Sequence, residues 1–177
     1  MVVKLRLLTD SFRSISNWAL IWIGLGIFIS VYALYVEYKF EHDSNYVAAC
    51  DINPWISCTK ALESKWGTGF GVIGPLLGDD HILNQKNALY GLPIYLLLAL
   101  LSRSISPSLV SFNLYFVYFL NLGTVYLSII LVLLQTLCLV CLLTYLVNFA
   151  LLINARKRKA IADQIMKMEQ PQKNKRH

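Results

Sequence analysis

The feature that most constrains this chain is a run without charged side chains that extends from Ser104 to Ala155. At 1.5 Å per residue, one helix of about 50 residues would be roughly 75 Å long, more than twice the roughly 30 Å thickness of a membrane's hydrocarbon layer. The run must therefore reverse, and Gln135-Thr136 is its most polar point. It predicts two membrane-spanning helices, near residues 109–131 and 136–155.

Two other uncharged stretches predict two more spans, near residues 18–36 and 87–102. The first follows basic residues, as the core of a secretory signal does. It is longer than a signal core of about 7–15 residues and no small-x-small cleavage site follows it, so we expect it to be retained. With 56% hydrophobic and 15% charged residues, the chain is too apolar for a soluble domain. The sequence predicts an all-α integral membrane protein, a four-transmembrane-helix bundle forming one domain over residues 1–177.

The distribution of charge predicts an orientation, because cytosolic segments next to membrane spans carry an excess of Lys and Arg. The amino terminus, the connection at Arg103 and the tail 156–177 are basic, whereas the loop 37–86 has more acidic than basic residues. We therefore expect both termini in the cytosol and the loop on the opposite side. A basic tail would also suit nucleic acid, but orientation and anionic lipid require the same charge. We predict membrane lipid, and no nucleic acid, as its partner.

All four cysteines fall on the non-cytosolic side of this topology. Cys50 and Cys58 lie in the loop, and Cys138 and Cys141 lie in the first turns of the last span. Disulfides form on that side of the membrane, and two pairs of thiols are what an exchange of electrons between dithiols requires. The amino-terminal end of a helix also stabilises a thiolate, which makes a cysteine there more reactive.

Three other interpretations of the cysteines remain open. Four cysteines could bind one structural zinc, although such sites usually have two closely spaced pairs. Buried membrane cysteines are often only small apolar side chains. An adhesion protein of the claudin type also has four spans and a Trp-x-x-Cys in its first long loop, as at Trp55 and Cys58. That reading leaves Cys138 and Cys141 unexplained.

The loop between the first two spans has the pattern of a short-helix lid. Asn53-Pro54 predicts a helix start, with an N-cap followed by a proline at the first position. One face of that helix would then carry Trp55, Cys58, Leu62 and Trp66. This apolar face could rest on the bundle and carry a cysteine toward the C-x-x-C pair. The glycine-rich stretch 67–71 permits tight turns, and we interpret it as part of a lid over a membrane pocket.

The last predicted span carries a partly polar stripe that starts at its thiols. At helical spacing it contains Cys138, Cys141, Thr144, Tyr145 and Asn148. Polar groups inside a bilayer are costly and usually face the interior of a bundle. Asn148 could simply bond a neighbouring helix, whereas Tyr145, one turn below Cys141, is better placed to hold a ligand oxygen. A ligand that enters from lipid and has a reducible carbonyl, such as a quinone, fits this pattern.

Several stretches together resemble the vitamin K epoxide reductase family, in its animal branch, over nearly the whole chain. They are CDINPWISC and SKWGTGFG in the loop, ILNQKNALYG at the second span, CLVCLLTYLVN in the last span and KNKRH at the end. The resemblance implies a four-helix bundle in the endoplasmic reticulum membrane, which makes the loop 37–86 luminal. Lys173 and Lys175 then resemble a lysine-based retrieval signal on a cytosolic tail.

The resemblance also implies a chemistry and a role for each site residue. The chain would reduce vitamin K epoxide to the quinone, and the quinone to hydroquinone, in support of gamma-carboxylation. Cys141 would meet the substrate, Cys138 would exchange disulfides with Cys58, and Cys50 and Cys58 would relay electrons from a luminal thioredoxin-like protein. The residues expected to bind the substrate are Asn87 and Tyr145, which would bond its oxygens, and Trp66 and Phe70.

No metal or other cofactor is expected besides the redox-active disulfides, because a soft thiolate and a proton donor suffice for opening an epoxide. Two alternative functions remain at this point. A quinone-linked thiol oxidase of similar architecture would run the electrons in reverse, from dithiols to a quinone. A four-span adhesion or scaffold protein would have no redox activity.

Overall fold

The computed structural model describes residues 2–43 and 46–173, and most of these residues are in α-helices. Its helices are α1 (Val2–His42), α2 (Cys58–Leu62), α3 (Ile73–Leu77), α4 (Asn87–Arg103), α5 (Pro107–Leu133) and α6 (Leu139–Lys173), with a 3₁₀ turn at Gly69–Gly71. Among these residues, α1, α5 and α6 are long and apolar enough to cross a membrane. The prediction of a helical membrane protein is confirmed. Helix α4 is apolar but has 17 residues, about 25 Å, and its role as a fourth span stays a prediction.

Helices α1 and α6 continue well beyond the spans predicted near 18–36 and 136–155. They contain 41 and 35 residues, because a helix keeps its backbone hydrogen bonds where it leaves the membrane. Outside the predicted spans the two helices pack together with the start of α5, through Phe12, Val110 and Ala162. Lys175 of the predicted retrieval signal lies outside the described residues.

The bundle is organised around α1, which packs against α4 and α6, while α5 packs against α6. Its buried core takes side chains from each of these helices, among them Ile23, Val36, Leu98, Val117 and Val147. Large apolar side chains on the outside of the bundle are exposed, including Phe28, Tyr115 and Leu146. A broad exposed apolar surface is what a membrane-embedded protein presents to lipid.

The chain reverses between α5 and α6 at the predicted place. Gln135 has a positive φ of 49°, and the amide of Thr136 donates to the carbonyl of Leu131 at 3.2 Å. Helix α6 begins at Leu139, three residues later than predicted. The amide of Leu142 donates to the carbonyl of Cys138 at 2.9 Å, so Cys138 is the N-cap residue rather than part of the first turn.

The helix start predicted at Asn53-Pro54 is wrong. The Asn53 side chain accepts hydrogen bonds from the amides of Trp55 and Ile56, each at 2.9 Å, and these bonds close a turn instead of capping a helix. The short helix α2 begins later, at Cys58, where the Ser57 hydroxyl accepts the amide of Lys60 at 3.1 Å. Trp55 therefore lies outside the helix and is 66% exposed, so it shares no buried face with Cys58.

Residues 66–71 fold back over α2 and the start of α4. Gly67 needs its lack of a side chain, because a Cβ there would lie 1.9 Å from the carbonyl oxygen of Leu62. Its carbonyl accepts the amide of Asn87 at 2.8 Å, and the amide of Gly69 donates to the carbonyl of Gln85 at 2.8 Å. The glycine-rich stretch is thus fixed against the residues that open α4.

Candidate functional site

The four cysteines form two disulfides, one in the loop and one at the start of α6. Cys50 pairs with Cys58, with 5.8 Å between their Cα atoms. Cys138 pairs with Cys141, with 5.2 Å between their Cα atoms. All four cysteines predicted as redox groups are therefore in disulfides, and each disulfide joins the two members of one predicted pair.

A short backbone bridge brings the two disulfides together. The amide of Ser57 donates to the carbonyl of Leu137 at 3.0 Å, and the amide of Leu137 donates to the carbonyl of Trp55 at 2.7 Å. Each of these segments continues directly into a cysteine, Cys58 on one side and Cys138 on the other. Both cysteines are 0% exposed, so the bridge holds one cysteine of each pair close to the other pair and away from water.

The two sulfurs of the α6 pair have different surroundings. Cys138 is fully buried beside the loop, and its Sγ accepts the amide of Cys141 at 3.2 Å. Because this amide belongs to the first turn of α6, the sulfur lies at the positive end of the helix dipole. Cys141 is half-buried and lines a cavity to which Cys138 does not contribute. The pair therefore has one sulfur toward the loop disulfide and the other toward a ligand space.

The cavity beside Cys141 has a volume of about 540 Å³, within the range of roughly 300–1,000 Å³ of ligand pockets. All four long helices and the segment around residues 61–72 contribute to its wall, which is mostly apolar. The residues predicted to contact substrate all lie in this wall: Asn87, Tyr145, Trp66, Phe70 and Cys141. The structure thus gathers, around one cysteine, residues that are far apart in the sequence.

The polar side chains on one side of the cavity hold residues 66–71. Asn87 donates through Nδ2 to the carbonyl of Trp66 at 2.6 Å and accepts the amide of Phe70 at Oδ1, at 2.8 Å. The hydroxyl of Tyr126 donates to the carbonyl of Phe70 at 3.0 Å, a residue with a positive φ of 57°. Asn87 is therefore hydrogen-bonded to the backbone of this segment. Tyr126 is a second residue that holds it, and the sequence analysis did not predict its role.

Deeper in the cavity, Asn148 joins three helices. Its Oδ1 accepts the hydroxyl of Tyr95 at 3.0 Å, its Nδ2 donates to the hydroxyl of Thr124 at 3.0 Å, and its carbonyl accepts the side chain of Asn121 at 3.0 Å. This confirms the expectation that it bonds neighbouring helices. Tyr145 lies one turn from Cys141 in the same wall.

Asp51 is a further charged group at the loop disulfide, and no pattern in the sequence points to a role for it. One carboxylate oxygen of Asp51 and the two sulfurs of Cys50 and Cys58 all lie within 4.8 Å of one another. The carboxylate accepts the amide of Thr59 at 3.1 Å and also accepts the Thr59 hydroxyl. It thus ties the residue after one cysteine to the residue after the other. With the disulfide closed, neither sulfur is a thiolate, the form that binds metal.

Comparison with known proteins places this arrangement in a family. Residues 17–155 match the sequence model of the vitamin K epoxide reductase family. The chain is 39% identical, over 133 residues, to vitamin K epoxide reductase complex subunit 1 of Mus musculus. The aligned region covers 72% of this chain and 80% of the relative. It is 36% identical over 133 residues to the subunit 1 of Rattus norvegicus, with the same coverage of both chains.

Proposed function

The chain belongs to the vitamin K epoxide reductase family, and from that premise we propose that it reduces vitamin K 2,3-epoxide to the quinone and the quinone to hydroquinone. Its disulfides are the redox groups, and no other cofactor takes part. By supplying hydroquinone, the reaction supports gamma-carboxylation.

One observation carries this proposal more than any other: the different surroundings of the two sulfurs in the α6 pair. Cys141 lines an apolar cavity of about 540 Å³, into which a lipid-soluble quinone can partition. Cys138 is buried beside the loop disulfide, to which the backbone bridge at Leu137 connects it. Substrate and electrons therefore reach the pair from different sides, as a reductase with an internal relay requires.

Reduction of the epoxide consumes both thiols of the α6 pair. The Cys141 thiolate attacks an epoxide carbon, the C–O bond breaks, and the ring oxygen takes a proton to become a hydroxyl. The Cys138 thiolate then attacks the Cys141 sulfur, forms the disulfide, and leaves the C–S electron pair on the carbon skeleton. Loss of the hydroxyl as water, with a second proton, gives the quinone. Reduction of the quinone to hydroquinone likewise takes two electrons and two protons from the dithiol.

The loop pair returns the electrons. The Cys58 thiolate attacks the Cys138 sulfur and releases Cys141, and the Cys50 thiolate then attacks Cys58 and releases Cys138. The loop thiols lose two protons in this exchange, and the two α6 thiolates take up two protons to become thiols. A luminal thioredoxin-like dithiol protein reduces the loop disulfide again, which fits a chain in the endoplasmic reticulum membrane with both termini in the cytosol.

The polar groups of the cavity orient the substrate. The Tyr145 hydroxyl, one turn from Cys141, donates to an oxygen of the bound quinone or epoxide. Asn87 takes the same role at the other side of the cavity, because its Nδ2 has a second N–H besides the one that donates to the carbonyl of Trp66. The segment 66–71 acts as a lid that carries Trp66 and Phe70 over the substrate.

The proposal is tested with purified protein in lipid nanodiscs, a membrane-permeant dithiol and vitamin K epoxide, with quinone and hydroquinone quantified over time. We expect quinone to form with the unaltered chain and not with the Cys141→Ala control. Absence of quinone with the unaltered chain would contradict the proposal. Oxidation of dithiols by added quinone, without any consumption of epoxide, would instead identify a quinone-linked thiol oxidase.

A further inference from the structure

The two cysteine pairs differ in the charge that surrounds their sulfurs. At the loop pair, a carboxylate oxygen of Asp51 lies within 4.8 Å of both sulfurs. At the α6 pair, the Cys138 sulfur accepts an amide of the first helical turn at 3.2 Å. One pair thus faces a negative charge and the other the positive end of a helix dipole.

Asp51 carries its charge under the conditions in which the loop pair works. Burial acts to raise the pKa of Asp51, but hydrogen bonds from the hydroxyl and amide of Thr59, from the Ser57 side chain and from the Cys58 amide outweigh it and hold the pKa below its ordinary value. Among the described residues, Tyr46 and Glu63 are two titratable groups whose pKa this carboxylate acts to raise. Both are neutral or negative, so neither cancels the field of the carboxylate at the two sulfurs.

These surroundings affect the reduced forms of the two pairs in opposite ways. A nearby carboxylate disfavours a thiolate, whereas a helix amino terminus and an amide donor favour it. A pair whose reduced form is stabilised is the better oxidant. In addition, the amide and hydroxyl of Thr59 donate hydrogen bonds to Asp51. If these bonds persist when the disulfide opens, they keep the two cysteines close, and such closeness favours the disulfide.

We propose that Asp51 sets the direction of electron transfer, because it makes the Cys50/Cys58 dithiol a stronger reductant than the Cys138/Cys141 dithiol. This inference rests on the proposed function, in which the loop pair donates to the α6 pair. The step is the exchange already described: the loop dithiol becomes a disulfide, the α6 disulfide becomes a dithiol, and two protons pass with the two electrons. Asp51 touches no substrate and acts only through the two cysteines beside it.

The test isolates the loop pair in a full-length chain with Cys138→Ala and Cys141→Ala. The fraction of Cys50–Cys58 disulfide is measured by thiol alkylation and mass spectrometry in glutathione buffers of known ratio. We expect Asp51→Asn to shift the exchange constant at least tenfold toward the dithiol, which is about 30 mV for a two-electron couple. The apparent pKa for alkylation of the two thiols should fall in the same variant, a change that loss of packing alone would not produce.

Three control variants separate charge from structure. Asp80→Asn removes an exposed carboxylate of the same loop and should leave the exchange constant within twofold of the parent. Thr59→Val removes one bond to the carboxylate but keeps the charge, so it should cause a smaller shift than Asp51→Asn. If Asp51→Asn lowers the unfolding midpoint, Asp51→Glu keeps the charge and should return the constant toward that of the parent.

Two results would overturn the inference: an Asp51→Asn exchange constant within twofold of the parent, or a Thr59→Val variant that reproduces the whole shift. The measurement needs no substrate, so it is independent of the proposed function. A shifted constant in a chain whose unaltered form does not reduce the epoxide would refute the proposed function and leave the property of the loop pair in place.

Discussion

Replacing Tyr126 by Phe tests whether residues 66–71 act as a lid. The change removes only the hydroxyl that donates to the carbonyl of Phe70 at 3.0 Å and keeps the aromatic ring. The two hydrogen bonds between the Asn87 side chain and the backbone of Trp66 and Phe70 stay in place. The segment should therefore still close over the cavity, but with one bond fewer.

The size of the effect follows from that single bond. A neutral hydrogen bond contributes a net free energy of about 1 kcal/mol, which corresponds to about a fivefold change in an equilibrium constant. The closed lid serves substrate binding and the transition state alike. We therefore expect KM to rise about fivefold in Tyr126→Phe, with kcat changed less than twofold.

The matched control is Tyr145→Phe, which removes the same hydroxyl group elsewhere in the cavity wall. If Tyr145 bonds a substrate oxygen on which charge develops, its loss should cost about 1–3 kcal/mol, or roughly ten- to a hundredfold in kcat/KM, with kcat also reduced. Kinetics with a small dithiol as donor would be recorded for both variants. Hydrogen exchange of peptides covering residues 64–72 should become faster only in Tyr126→Phe.

Two results would refute this reasoning about the lid. Tyr126→Phe with unchanged KM and unchanged hydrogen exchange would show that its hydroxyl does not hold residues 66–71. A loss of kcat in Tyr126→Phe as large as in Tyr145→Phe would place its hydroxyl at the substrate instead.

The remaining predictions concern the two disulfides and the deep end of the cavity. Cys138→Ala and Cys141→Ala should each abolish reduction of the epoxide in the quinone assay, because one thiol cannot both attack and resolve; turnover above a few per cent in either would contradict the mechanism. Cys50→Ala and Cys58→Ala should lose turnover driven by a thioredoxin-like protein but keep much of that driven by a membrane-permeant dithiol. Equal loss with both donors would make the loop disulfide structural. Asn148→Ala should lower the thermal unfolding midpoint, at a cost of about 1–3 kcal/mol for its lost bonds, with a smaller change in kcat than Tyr145→Phe; an unchanged midpoint would contradict its role between helices.

The membrane character and the reversal at Gln135 were predictable because each depends on local composition. An uncharged run longer than the membrane must turn, and it turns at its most polar point, where Gln135 takes a positive φ of 49°. The helix ends were less predictable. Hydropathy predicts where a helix leaves the membrane, not where the helix ends. Helices α1 and α6 continue beyond that point, where Phe12 and Ala162 pack in one buried cluster.

The path of the loop could not be predicted from the local sequence, because a helix cap and a turn can begin with the same hydrogen bond to an Asn side chain. An Asn followed by Pro can cap a helix or close a turn, and the Asn side chain accepts a nearby amide in both. What decides between them here is distant in sequence, since Ser57 pairs with Leu137 eighty residues later and fixes the strand-like path before Cys58. The role of Asp51 was hidden for the same reason, because its partner Thr59 is eight residues away.

In the relay that we propose, burial gives the exchange steps an order. Cys58 and Cys138 are 0% exposed, whereas Cys50 is 7% exposed, so we expect the thiol of a protein donor to attack Cys50. Attack there releases Cys58, and this is the cysteine that the bridge between Ser57 and Leu137 holds next to Cys138. A small apolar dithiol has another route, because Cys141 opens onto a cavity between the helices. We therefore expect the two kinds of donor to react at opposite ends of the series of four cysteines, protein thiols at Cys50 and small apolar dithiols at Cys141.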